Sequence, residues 1–308
     1  MRVSTLLWIG LILMSCNDGS AIKNESQLAS ITPQNSSLRE EKPLTTKFKD
    51  YWYAGEAEIT SYSLNQVRYG ELRKGSAVLI YVTEDFLPDI QVKANQKKPS
   101  NISVLKLNAT KKFTTGIYPY AIMQSTFYPV ANNQHALKVT SSIQEWCGQV
   151  YAQLNSKEKF DIISHSYFQG EGDQAYQIEK TLLENELWTK LRIDPMSLPQ
   201  GTRQIVPSFE YCRLFHKEIK AYTATTHLKQ EDSLTTYTLS YPELKRSLSI
   251  TFDTKFPHQI DSWTEHYSLD DSPTKLVTSA KRIKTIKSDY WSKNSTQYNG
   301  LRDTLKLN

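Results

Sequence analysis

The feature that most limits the fold is a long succession of short segments in which polar and apolar side chains alternate. Glycine, proline or asparagine interrupts them at intervals of roughly ten residues. Residues 56–64 alternate at period two, the repeat of a strand with one face covered. In residues 76–83 both faces are mostly apolar: Ala77, Leu79 and Tyr81 share one side, Val78, Ile80 and Val82 the other. Such a strand is expected to be central, with core on one side and a covered groove on the other. Residues 247–253 place Leu248, Ile250 and Phe252 on one side and Ser247, Ser249, Thr251 and Asp253 on the other, so only one face is covered there. Further strands are expected at 102–107, within 113–129, on both sides of the turn Glu145-Trp146-Cys147-Gly148, at 160–168, 221–229, 233–241 and 256–265.

Only residues 179–192 carry a helical repeat, with Leu182, Leu183, Leu187 and Leu191 on one side and Pro195 beyond the end. Residues 211–220 alternate and are expected to be extended. Residues 275–287, rich in Lys and Arg, fit a solvated edge strand as well as a membrane-surface patch. The 18 tyrosines suit pleated surfaces that bury a ring and leave its hydroxyl wet. The chain is therefore mainly β: one large antiparallel, strongly curved sheet, a half-barrel, with one or two helices. The domain is expected over 48–288, followed by a polar tail at 289–308.

The N-terminus sets the expected location. Residues 1–15 combine Arg2 with the apolar run 6–14, the layout of a secretory signal. Leu13-Met14-Ser15-Cys16 resembles the bacterial lipobox, which implies cleavage before Cys16 and lipidation of that residue. Residues 16–47, rich in Ser, Asn, Thr and Lys, form the lipidated terminus and a flexible tether. A protein of the cell envelope follows, lipid-anchored at the periplasmic face or in the outer membrane. The formal charge of +5 on 308 residues is mild, and no nucleic-acid partner is expected. Nothing in the sequence fixes an oligomeric state.

Chemistry is sparse. Cys147 with His165, and Glu171 or Asp173 nearby, supplies the parts of a thiol nucleophile, a base and an orienting carboxylate. The competing expectation is a Cys147–Cys212 disulfide or a buried thiol, either of which leaves Cys147 inert. His258 and His266 lie an even number of residues apart and would share a face on one strand, but exposed polar residues explain them more simply than a metal. Glu171 and Asp173 flank Gly172 as a surface turn. No zinc spacing, phosphate loop, dinucleotide fingerprint or nucleophile elbow occurs, so neither a metal nor a cofactor is expected.

The blocks YWYAGEAEITSY at 51–62, YVTEDF at 81–86, GIYPY at 116–120 and QEWCG at 144–148 resemble those of an uncharacterised Bacteroidota lipoprotein family. That resemblance brings no activity with it. Some members carry a septum-formation-inhibitor (Maf) label. The corresponding fragment here, residues 28–35, has neutral Gln34 and Asn35 where Maf nucleotide pyrophosphatases place arginines, so it implies no pyrophosphatase. The Tyr- and Thr-rich alternation ending in FPHQI at 256–260 is also similar in pattern to DUF3108-type and LolA-like periplasmic proteins. This likeness implies a curved half-barrel, and LolA-like members hold lipid. The leading functional expectation is a non-enzymatic lipoprotein that binds an apolar or amphipathic ligand in its curved sheet. The alternatives are a hydrolase built on Cys147 and His165 or a structural protein of the envelope.

Overall fold

The computed structural model describes residues 44–132, 134–267 and 276–307. Cys16, residues 1–15, most of the expected tether and the fragment 28–35 lie outside the described residues. Leu38–Asn308 forms one compact unit.

Helix α1 (Thr46–Trp52), whose first turn is capped by the Thr45 hydroxyl, leads into β1 (Ala57–Arg68) and β2 (Glu71–Leu87). After the short β3 (Val92–Lys93) come β4 (Ile102–Thr115), β5 (Tyr118–Pro129), β6 (Lys138–Glu145), β7 (Gly148–Ser156), β8 (Phe160–His165) and β9 (Gln174–Ile178). Next are β10 (Leu182–Leu183), α2 (Glu184–Ile193), β11 (Gly201–Val206) and α3 (Phe209–Leu214). The meander β12 (Tyr222–Glu231), β13 (Leu234–Tyr241), β14 (Arg246–Asp253), β15 (Ile260–Tyr267) and β16 (Val277–Ser288) completes the sheet, and α4 (Gly300–Thr304) ends the chain.

All of these strands join one sheet in the order β10-β11-β12-β13-β14-β15-β16-β1-β2-β4-β5-β6-β7-β8-β9, with β3 attached to β2. Apart from the parallel pair β10–β11, every ladder is antiparallel. The expected half-barrel is present, and its two edges are close in the chain: β9 ends at Ile178 and β10 begins at Leu182. Tyr69 and Gly70 both have positive φ, 54° and 74°, and make the tight turn that matches the strand twist between β1 and β2. At Gly75 a Cβ would stand 2.2 Å from the Lys112 carbonyl oxygen, so only glycine allows β2 and β4 to approach there.

The hollow of the sheet is occupied by α2. Its Leu187 and Leu191 are fully buried in one cluster with Tyr62, Leu79, Leu239, Leu248 and Ile250. Trp188 packs edge-on against Trp263, ring centroids 5.4 Å apart, and the Tyr81 hydroxyl donates to the Trp188 carbonyl at 2.9 Å. A second cluster, with Leu154, Phe160 and Ile162 from one wing and Leu183, Val206 and Phe209 from the other, crosses the seam between the two edges.

Several expectations need correction. The helix starts at Glu184 rather than 179, because Leu182 and Leu183 pair with Ile205 and Val206 as strand before the helix can begin. Residues 209–214 are helical: Ser208 accepts from the Tyr211 amide, and Glu210 sits favourably in the first turn. The Lys-rich β16 is no edge; it pairs with both β15 and β1. Its cations serve the outer surface, as when Arg282 meets Asp253 at 3.0 Å. The polar tail is docked, and Leu305 covers Ile59 and Val82 on the outside of the sheet.

Candidate functional site

The inward surface carries ionised residues where alternation places apolar ones. Arg246 opens β14 on the same side as Leu248, Ile250 and Phe252, and its guanidinium reaches both oxygens of Glu184, in the first turn of α2, at 2.5 and 2.7 Å. It also donates to Glu265 of β15 at 2.9 Å and lies 4.3 Å from the Tyr211 ring centroid. The hydroxyls of Tyr241 and Tyr267 donate to Glu184 and Glu265. Lys111 of β4 donates to Glu210 of α3 at 2.7 Å and stands 3.7 Å from Glu265. Gln124 donates to the other Glu210 oxygen at 3.1 Å and is held in turn by Asn185.

Three carboxylates thus share two cations; all are buried except Lys111, which is half-buried. Burial pushes the Glu265 carboxyl up, but Arg246 and Lys111 outweigh it and leave it at about 2. Burial also dominates at Glu210; Lys111 opposes it, and nearby Glu265 adds to it, so this carboxyl stays above its ordinary range.

A partly enclosed cavity of about 40 Å³ adjoins the cluster. Its floor is Leu79, Leu107, Trp188 and Trp263, and its polar wall is Lys111, Asn185, Glu210 and Glu265. By volume it holds about three waters or a small molecular group. The Trp263 indole Nε1, on a residue only 2% exposed, has no hydrogen-bond partner among the described residues.

A second buried pair anchors the other end of α2. Arg192 meets both oxygens of Glu58 at 2.8 and 2.7 Å, between the rings of Trp52 and Tyr81. Tyr51 donates to the same carboxylate at 2.5 Å. Burial would raise the Glu58 carboxyl; the Arg192 charge and these hydrogen bonds lower it instead.

The residues singled out in the sequence stand apart from this site. Cys147 is exposed in the turn between β6 and β7, and Cys212 is a buried free thiol in α3, so no disulfide joins them. The expectation that Cys147 is bonded or buried is therefore corrected. Glu145, whose carboxylate accepts from the Cys147 amide at 2.7 Å, pushes the thiol up and disfavours the thiolate. His165 faces Asp173 at 3.3 Å, and Glu171 meets His216 at 2.6 Å, giving surface turns with no imidazole bonded to Cys147. His258 lies in the turn before β15 and His266 on β15 itself, so they do not share a strand face. Among the described residues no three His, Cys, Asp or Glu side chains are grouped to hold a metal ion. No described helix is long and apolar enough to cross a membrane.

The charged cluster escaped sequence analysis because Lys111, Glu184, Glu210, Arg246 and Glu265 are scattered along the chain. A signal existed in two of them: Arg246 keeps even spacing with Leu248 and Ile250, and Glu265 with Trp263.

No family model and no curated protein matches the chain. A solved structure resembles it: the beta-barrel-like protein of a domain of unknown function, DUF1849, from Brucella abortus. The two share 7% sequence identity at a TM-score of 0.46, over 75% of this chain and 97% of the other.

Proposed function

We propose that this is a non-enzymatic, lipid-anchored protein of the cell envelope, of the Bacteroidota lipoprotein family its sequence blocks resemble, and that it holds a small amphipathic ligand beneath α2. The observation that carries the reading is the cavity with two chemistries: Leu79, Leu107 and two tryptophans on one side, Lys111 and two carboxylates on the other. Pockets of this composition place an apolar body on the floor and fix its orientation with a few polar contacts. Since α2 fills the hollow and the cavity is about 40 Å³, the ligand is a small amphiphile with a short apolar part. The geometry gives catalysis less support, because Cys147 lacks the adjacent base that would activate it.

Mass spectrometry of small molecules released from purified protein, with thermal shifts against short alkyl amines, alcohols and carboxylates, tests this. Stabilisation by at least one amphipathic series is expected, together with its loss in Ala109→Leu, which fills the cavity. A protein that carries no small molecule and is indifferent to every series would refute the reading.

A further inference from the structure

One end of the half-barrel carries a continuous row of exposed apolar side chains, separate from the cavity. In the run β1-β2-β4-β5-β6-β7-β8-β9, the turns at 69–70, 116–117 and 146–147 and the loop 166–173 all emerge at that end. Successive tips are two strands apart, about 10 Å. Each tip presents a large residue to solvent: Tyr69 is 59% exposed, Ile117 80%, Trp146 69% and Tyr167 44%, with Leu72 beside the first at 50%. The row is held together underneath. The Tyr69 and Tyr120 hydroxyls lie 2.9 Å apart, the Tyr118 and Trp146 rings 6.5 Å apart, and the Tyr167 hydroxyl donates to Glu145 at 2.7 Å.

We propose that this rim docks on the surface of an anionic phospholipid bilayer, with Ile117 and Trp146 inserted among the headgroups. Three observations favour a bilayer as the occupant. The side chains project from separate turns and so form points rather than a groove for a protein segment. Tryptophan and tyrosine, apolar with a polar tip, are the residues that settle at a membrane interface.

The third observation is charge. The rim's carboxylates are engaged: Glu71 by Arg73, Glu145 by Tyr167 and the Cys147 amide, Glu171 by Ser166 and His216, Asp173 by His165. Lys74 of β2 and Lys112 of β4 are exposed just behind the tips and have no ion-pair partner among the described residues. These two lysines offer unpaired positive charge next to the tips, which complements anionic headgroups. A single row of apolar tips with a few lysines gives reversible binding, which a lipid at Cys16 would reinforce but which does not depend on it or on any cavity ligand.

Cys147 is exposed beside Trp146 and Cys212 is buried, so the compact unit Leu38–Asn308 can be labelled at Cys147 with a polarity-sensitive nitrobenzoxadiazole dye. With vesicles of phosphatidylcholine and phosphatidylglycerol, the emission should rise and be quenched by brominated acyl chains. Ile117→Asp combined with Trp146→Asp alters only exposed positions and should weaken vesicle binding by about tenfold or more. Vesicles of phosphatidylcholine alone should bind more weakly. A dye that stays wet, equal binding by the double variant, or a rise on protein self-association without vesicles would each overturn the proposal.

Discussion

Arg192, in the last turn of α2, is buried between the rings of Trp52 and Tyr81, and its guanidinium meets both oxygens of Glu58 on β1. A buried pair of this kind offsets its own desolvation only while both partners remain. Arg192→Met would leave the Glu58 carboxylate uncompensated and should cost about 3–5 kcal/mol in urea unfolding. Arg192→Met with Glu58→Gln should recover a large part of that loss. If the double variant is as unstable as the single one, the pair is not the source of the effect.

At Glu265 the prediction concerns pH. Its carboxyl is lowered from an ordinary value of 4.5 to about 2 in the fold. The unfolded chain binds the proton first, so stability from this group is complete above about 4.5 and is lost as pH falls towards about 2. Unfolding free energy measured through that window should fall less steeply in Glu265→Gln. Equal slopes would show that Arg246 and Lys111 do not hold the carboxylate as described.

Elements differ in how plainly the sequence announces them. In β14, Leu248, Ile250 and Phe252 are wholly buried while Ser249 and Thr251 stay half-covered, as strict alternation requires. In β2 the expectation was core on one face and a covered groove on the other; both faces are covered, but the second is covered by the C-terminal tail rather than by a groove. Ala77, Leu79 and Tyr81 face the interior, and Val78, Ile80 and Val82 lie in the patch that Leu305 covers from the C-terminal tail. Nothing in residues 289–308 carries a repeat long enough to reveal that, because a five-residue helix has no periodicity to show. Likewise α3 was hidden in an alternating stretch, since six helical residues can mimic it. The cavity was illegible for a related reason: its polar wall combines strands and helices whose juxtaposition only the curved sheet supplies.

Leu305→Asp tests the docking of the tail. It should cost about 1–3 kcal/mol through burial of an unpaired carboxylate and expose residues 289–300 to protease. An unchanged melt with an unchanged cleavage pattern would mean that the tail does not protect the outer face of β2.

In the whole molecule, the hydrogen-bonded ladder runs without a break from β10 to β9 but does not join those two edges to each other. Side chains do the joining. Leu187 and Leu191 of α2 share one cluster with residues from β1, β2, β4 and β5 on one side and from β11 to β16 on the other. Leu183, Val206 and Phe209 meet Leu154, Phe160 and Ile162 across the seam. Neither wing can retain its inward face once the other leaves, so the domain should unfold in one cooperative transition although its sheet is open. Leu191→Ala, at a fully buried position where neighbouring aromatic rings cannot collapse freely, should destabilise by about 2–5 kcal/mol. Leu154→Ala, in the other cluster, should cost an amount in the same range. The decisive result is the shape of the transition: far-ultraviolet circular dichroism and tryptophan fluorescence should give coincident curves for both variants. The fluorescence change on unfolding reports chiefly the exposure of Trp52, Trp188 and Trp263 around α2, because Trp146 and Trp291 are already exposed in the fold, whereas the ellipticity reports on all the strands. If Leu154→Ala separates the two curves, with the wing β6–β9 melting before the rings around α2 are exposed, the seam is a boundary between units, and α2 organises only the half of the sheet it touches.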